Sequence, residues 1–253
     1  MIEFVDLARA RDAAGVCIVL SPIVPSPWSE AAKGVFRLAR VPLTAVRKTR
    51  ENAAEVTTWT GVDNVPAVVH GAEPVRTTSA AIVALAARLG GPDTVLPADP
   101  AARAEIMGAI ELIAGEDGLG WNGRLAMIDA GLTTGRGFSK GIAEYLARRY
   151  GYSPGILPNV RQRVATQLAI LDARLGRHGT YLAGANVSAL DVYAATFLTP
   201  LLPISDEACP AMAAPVRAAF ACAAEEFGSL VSPALVAHRA MMFERHLEWP
   251  IAL

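Results

Sequence analysis

Cysteine is scarce in this 253-residue chain, and neither sign of charge dominates. The three cysteines, Cys17, Cys209 and Cys222, are odd in number and form no CxxC pair, which excludes a disulfide framework. A reduced, cytoplasmic protein is the expectation. Twenty-three lysines and arginines against 24 aspartates and glutamates leave a net charge of −1. That balance excludes a basic nucleic-acid footprint and an acidic disordered tail. No apolar run reaches the length of a membrane span, so no membrane partner is expected; near the N-terminus the longest, Val16 to Leu20, suits a buried strand. The first fifteen residues, MIEFVDLARARDAAG, mix both charge signs and lack an apolar signal core, so no secretion signal is expected. Apolar side chains are plentiful: 53% of the residues are hydrophobic, enough for a well-buried core in one large domain or two small ones.

The first ninety residues alternate between strand and helix patterns. Val16 to Leu20 is a short β-branched run, Glu30 to Arg40 has helical spacing, and Pro42 to Arg47 reads as a second strand. Glu51 to Thr58 reads as a short helix, and Ala67 to His70 with Pro74 to Arg76 as a hairpin turning at Gly71-Ala72. Thr77-Thr78-Ser79 then opens a helix that runs through Leu89 and stops at Gly90-Gly91-Pro92. A helical crossover joins the first two strands, which are therefore expected to be parallel.

Beyond Gly90 the pattern changes. A proline-punctuated linker covers 91–100, and helical segments follow: Ala101 to Ala114, Ser139 to Tyr150, Pro158 to Leu175, Ala189 to Leu198, Ala211 to Phe227 and Pro233 to His246. The expected architecture is an α/β domain over 1–90, a linker over 91–100 and an all-helical domain over 101–253.

Three places in the front domain could carry chemistry. Ser26 lies between the first strand and the first helix, where ligands of open α/β sheets gather. Its prolines, Pro25 and Pro27, stiffen the backbone, and from spacing alone Ser26 or Ser29 serving only as an N-cap is the plainer account of the pattern. Val65-Pro66 enters the third strand; a cis bond there would turn the N–H and C=O of Val65 toward a ligand. Only about 5–6% of such bonds are cis, so sequence alone does not support that reading. Thr77-Thr78-Ser79 heads a helix whose free N–H groups and positive dipole end suit a carboxylate, and capping again explains the same residues.

The order of these elements resembles the thioredoxin-like half of a glutathione transferase: strand, S-P-aromatic, helix, Val-Pro before a hairpin, then Thr-Ser opening a helix. The helical half continues the likeness in Thr180-Tyr-Leu-Ala-Gly-Ala-Asn-Val-Ser-Ala-Leu-Asp-Val-Tyr193, where Ser188 and Asp191 have capping-box spacing. The resemblance covers roughly Val16 to His246. It implies glutathione as co-substrate, a homodimer, a role in detoxification, and no metal. It also assigns roles. Ser26 would donate a hydrogen bond to the glutathione sulfur and act as the catalytic residue. Val65, beside Pro66 and Asn64, would pair with the cysteinyl backbone, and Thr78 and Ser79 would hold the γ-glutamyl carboxylate. Lys48, with Arg47 and Arg76, could hold the glycine carboxylate, and Trp28 and Trp59 could wall the pocket. The second substrate would be a small apolar electrophile held by the helical domain. Threonine at 78 departs from the glutamate or glutamine common in the family. A non-catalytic carrier of an acidic or apolar ligand on the same fold is therefore the alternative, and a dimerising scaffold the third reading.

Other patterns point elsewhere. Gly115 to Pro158 reads as a glycine-rich insertion, and Gly131 to Gly137 as a helix–helix connection without the ending of a phosphate loop. Ser26 is not in a G-x-S-x-G elbow. His70, His178, His238 and His246 lack metal-ligand spacing, and solvated or dipole-complementing roles are expected for the last two. Cys17 reads as a small buried hydrophobe. Arg148-Arg149 reads as a solvated helix end.

Overall fold

The computed structural model describes residues 2–253. Its sheet has four strands: β1 (Glu3–Phe4), β2 (Val16–Leu20), β3 (Leu43–Arg47) and β4 (Ala67–His70), in the order β1-β3-β2-β4. β2 and β3 are parallel, as their helical crossover requires, and β4 runs antiparallel to β2. The second strand of the expected hairpin shrinks to a single bridge between Val68 and Arg76. Two elements of the leader had no sequence signal. β1 joins the edge of the sheet beside β3, and α1 (Leu7–Asp12) is capped by Asp6, whose carboxylate accepts from the Arg9 N–H at 2.8 Å.

All five residues of β2 are buried, and their alternation splits the core. Val16, Ile18 and Leu20 face α2 (Pro27–Leu38) and α4 (Ser79–Gly90), in a core continuous with the helical half. Cys17 and Val19 face a smaller cluster with Leu7 and Ala10 of α1 and Val56 of α3 (Ala53–Thr60). Trp59 packs on this smaller cluster.

The helical half consists of α5 (Pro100–Ala114), α6 (Leu119–Thr133), α7 (Lys140–Tyr150), α8 (Leu157–His178), α9 (Ala189–Leu198), α10 (Ala214–Phe227) and α11 (Pro233–Arg245). The supposed insertion contains a buried helix, α6. Its glycines disguised it because they serve close packing: a Cβ on Gly120 would lie 2.4 Å from Phe197 and 3.0 Å from Trp28. Gly120→Ala should therefore destabilise the protein by about 1–3 kcal/mol, although alanine is the better helix former by about 1 kcal/mol. A lower melting temperature checks this; an unchanged or higher one would show that the seam repacks freely.

α9 is buried along its whole length. Asp191 lies at its third position and reaches back to accept from the N–H and the hydroxyl of Ser188, at 2.9 and 2.8 Å. It also accepts from Leu182 N–H at 2.8 Å, and His238 Nε2 of α11 lies 3.0 Å away. His238 is 4% exposed, so the expected solvated role gives way to a buried partnership with this carboxylate.

Candidate active site

The register of the sheet decides what can meet. Val19 pairs with Ala67, so one step further sets Leu20 level with Pro66. Val68 bridges Arg76 in the antiparallel sense, so two steps back set Pro66 level with Thr78. The loop leading to Ser26, the Val65-Pro66 pair and the head of α4 therefore gather at the carboxyl end of β2, the end at which open α/β sheets bind ligands.

Ser26 is half-buried and stands at the N-cap of α2, but its hydroxyl makes no capping bond. Its backbone takes the capping geometry, with its C=O accepting from Glu30 N–H at 2.9 Å. Pro27 occupies the first turn, where no N–H is needed. The loop is tethered on both sides to the helical half. Ile23 C=O accepts from Ala213 N–H at 3.1 Å, and Trp28 Nε1–H donates to Ala114 C=O at 2.9 Å. The Trp28 ring also packs edge-on against Phe197 at 5.0 Å. Its indole donor is thus taken up in joining the two halves and does not remain for a ligand. Ser29, one residue on, is 2% exposed with an unpartnered hydroxyl.

The Val65–Pro66 peptide is cis, a state that the residues alone did not support and that the family's cis-proline at this place implies. Among the described residues, neither the N–H nor the C=O of Val65 takes part in a hydrogen bond. Asn64 is occupied from an unforeseen direction: its side-chain carbonyl accepts from Arg149 of α7 at 2.5 Å, while Arg149 also donates to the Tyr145 hydroxyl at 2.7 Å. Arg149 is exposed in the last turn of α7, as expected of a solvated helix end, and from there it also links the two halves. Nothing in the sequence links positions 64 and 149; only the docking of α7 does.

At the head of α4, Thr78 is the N-cap and its hydroxyl accepts from Ala81 N–H at 3.3 Å. The N–H groups of Ser79 and Ala80, in the first turn, stay free among the described residues. Ser79 lies beside the buried Tyr193 hydroxyl, whose pKa is raised by burial, against the hydrogen bond from Ser79 that lowers it.

The cations expected near a glycine carboxylate are engaged elsewhere. Lys48 Nζ contacts Asp63 Oδ1 at 2.5 Å, Asp63 C=O at 2.9 Å and Thr57 Oγ1 at 3.3 Å, which takes up its three donors. Arg47 lies over the Phe4 ring at 3.7 Å and donates to the Leu253 carbonyl oxygen. Arg76 pairs with Glu73, which closes the hairpin. Arg88, His70 and Arg76 together hold the Glu73 carboxyl down at about 2. This acid sits in the turn after β4, remote in register from Thr78, and does not replace the missing glutamate.

The three cysteines are buried and free. Burial pushes the Cys17 thiol up to about 12, so it supplies no thiolate at neutral pH. In native protein at pH 8, Cys17 should resist iodoacetamide for hours and react fully only after denaturation; fast native labelling mapped to Cys17 would show that the small cluster under α1 opens. Among the described residues no helix is long and apolar enough to cross a membrane, and no group of three or more His, Cys, Asp or Glu is placed to hold a metal.

No protein-family model and no curated protein sequence matches the chain. Solved structures do. A glutathione S-transferase from Methylobacterium radiotolerans in complex with glutathione sulfonate is 14% identical, with a TM-score of 0.58 over 94% of this chain and 97% of that one. A glutathione transferase family member from Pseudomonas fluorescens with two glutathione bound is 16% identical, with a TM-score of 0.58 over 91% and 89%. A β-etherase from Sphingobium is 16% identical, with a TM-score of 0.56 over 90% and 99%.

Proposed function

Because the chain has the glutathione transferase fold, we propose that it binds glutathione at the carboxyl end of β2 and activates its thiol for attack on a small apolar electrophile. The observation that carries this reading is Ser26: a half-buried N-cap serine whose hydroxyl its own helix leaves unused. The resemblance extends the reading to a cytoplasmic homodimer acting in detoxification.

The residues divide the work. The free N–H and C=O of Val65 pair with the cysteinyl backbone of the tripeptide. The γ-glutamyl carboxylate sits on the free N–H groups of Ser79 and Ala80, at the positive end of the α4 dipole. Ser26 Oγ–H then donates to the sulfur. A free thiol of pKa about 8.5 is less than about 10% ionised near neutral pH. A donor that favours the thiolate by about two pKa units, roughly 2.7 kcal/mol, makes it mostly ionised without a general base. The thiol proton goes to solvent on ionisation; the thiolate then forms the carbon–sulfur bond, and either the displaced group leaves to solvent or, in an addition, the product anion takes a proton from solvent.

One set of observations favours a second reading, a carrier without turnover. Thr78 brings no carboxylate to the γ-glutamyl ammonium and is itself the α4 cap, while Lys48, Arg47 and Arg76 are all engaged within the protein. Titration calorimetry with glutathione tests the two readings together. Saturable heat at or below millimolar concentration, abolished by Ser79→Pro, which removes a free N–H of the α4 first turn, is the expected result. No heat at several millimolar would remove glutathione from the account and leave the carrier.

A further inference from the structure

A second ligand site is built on a different face of α2. Glu30, Lys33, Gly34 and Arg37, spaced as one helical stripe, line a half-open cleft of about 350 Å³. That volume lies within the range of small-molecule sites. The opposite wall is apolar and comes from two directions, Phe243 and Leu247 at the end of α11 and Val41 and Leu43 at the start of β3. The floor is an ion pair: Lys33 Nζ meets Glu30 Oε2 at 2.7 Å, with the side chains 7% and 10% exposed, and donates to Ala252 C=O at 2.6 Å.

The charge at the mouth is unbalanced. Arg37 and Arg40 both line the cleft and are exposed, and among the described residues neither is paired with a carboxylate. Against them stands one acid, Glu248, also without a pairing partner among the described residues. With Glu30 and Lys33 cancelling, the cleft holds two guanidinium groups against one carboxylate, above an apolar wall. Guanidinium forks suit a carboxylate or another oxyanion, and the wall suits a hydrocarbon chain.

We propose that this cleft binds an amphipathic anion, a hydrocarbon chain with a terminal carboxylate, its head between Arg37 and Arg40 and its tail against Phe243 and Leu247. None of Ser26, Val65 or Ser79 lines the cleft, so the site is separate from the glutathione reading and stands without it.

The test uses the whole protein and three probes of equal chain length: octanoate, octan-1-ol and octyltrimethylammonium, titrated by calorimetry. Octanoate should bind at least ten-fold more tightly than either of the others, and saturating glutathione should change its affinity by less than two-fold. The double variant Arg37→Glu, Arg40→Glu alters exposed side chains only. It should weaken octanoate ten-fold or more while melting as the parent does, and Val41→Trp, which fills the cleft, should abolish binding of all three probes. Equal binding of octanoate and octanol, octanoate affinity unchanged in the double variant, displacement of octanoate by glutathione, or no heat at millimolar octanoate would each overturn the proposal.

Discussion

Asp191→Ala should lower the free energy of unfolding by about 3–5 kcal/mol, the largest stability loss expected from a single substitution here. The carboxylate is completely buried and serves four partners: the N–H groups of Leu182 and Ser188, the Ser188 hydroxyl and the His238 ring. Alanine removes every acceptor at once. Each buried donor left behind carries a desolvation penalty of about 1–3 kcal/mol, and water has no route to a helix buried on all sides. The His238 Nδ1 atom already lacks a partner, so the ring has nothing to turn toward. Asp191→Asn keeps the shape but places an NH2 group against donors, and should recover only part of the loss. Urea unfolding followed by circular dichroism measures both. A free energy of unfolding within about 0.5 kcal/mol of the parent would show that the network contributes little to stability.

Ser26→Ala should lower turnover with a reactive aryl halide ten-fold or more at pH 7 and leave glutathione affinity within a few-fold of the parent. The reasoning is chemical. In the proposed reading, Val65 and the head of α4 would hold the peptide parts of glutathione, and Ser26 would address the sulfur. Losing the hydroxyl returns the thiol toward its solution pKa and removes thiolate, not binding. Fold stability should hardly change, because the Ser26 side chain makes no capping bond whose loss would cost the usual ~1 kcal/mol. The deficit should shrink as pH rises through about 8.5, where glutathione ionises unaided. An unchanged rate would take Ser26 out of the mechanism; a parallel loss of binding and rate would make it a positioning contact.

Much of the fold was legible because its signals are local. Val16 to Leu20, the S-P-aromatic turn, the Thr78 cap and the Ser188–Asp191 spacing each act within a few residues, and the structure has each in place. The cis state of Val65–Pro66 was not legible in the residues, only in the family likeness. What was misread depends on contacts far apart in the chain. The glycines of α6 suggested an insertion until Phe197 and Trp28 supplied the reason for glycine at 120 in a buried helix. His238 looked like a solvated helix end because Asp191 lies 47 positions away. Arg149 and Asn64, 85 apart, meet only when α7 docks on the front domain. The partners of Lys48 and Arg47, Asp63 and the Leu253 carbonyl oxygen, also lie at a distance along the chain.

The ionisation of bound glutathione tests the central claim most directly. Thiolate absorbs near 240 nm, so a pH titration of the protein saturated with glutathione, against protein alone, reports the pKa of the bound sulfur. The account predicts a midpoint about two units below that of free glutathione, returning toward the solution value in Ser26→Ala. A bound thiol that titrates as it does in solution, or a lowered midpoint that survives the loss of the Ser26 hydroxyl, would contradict it.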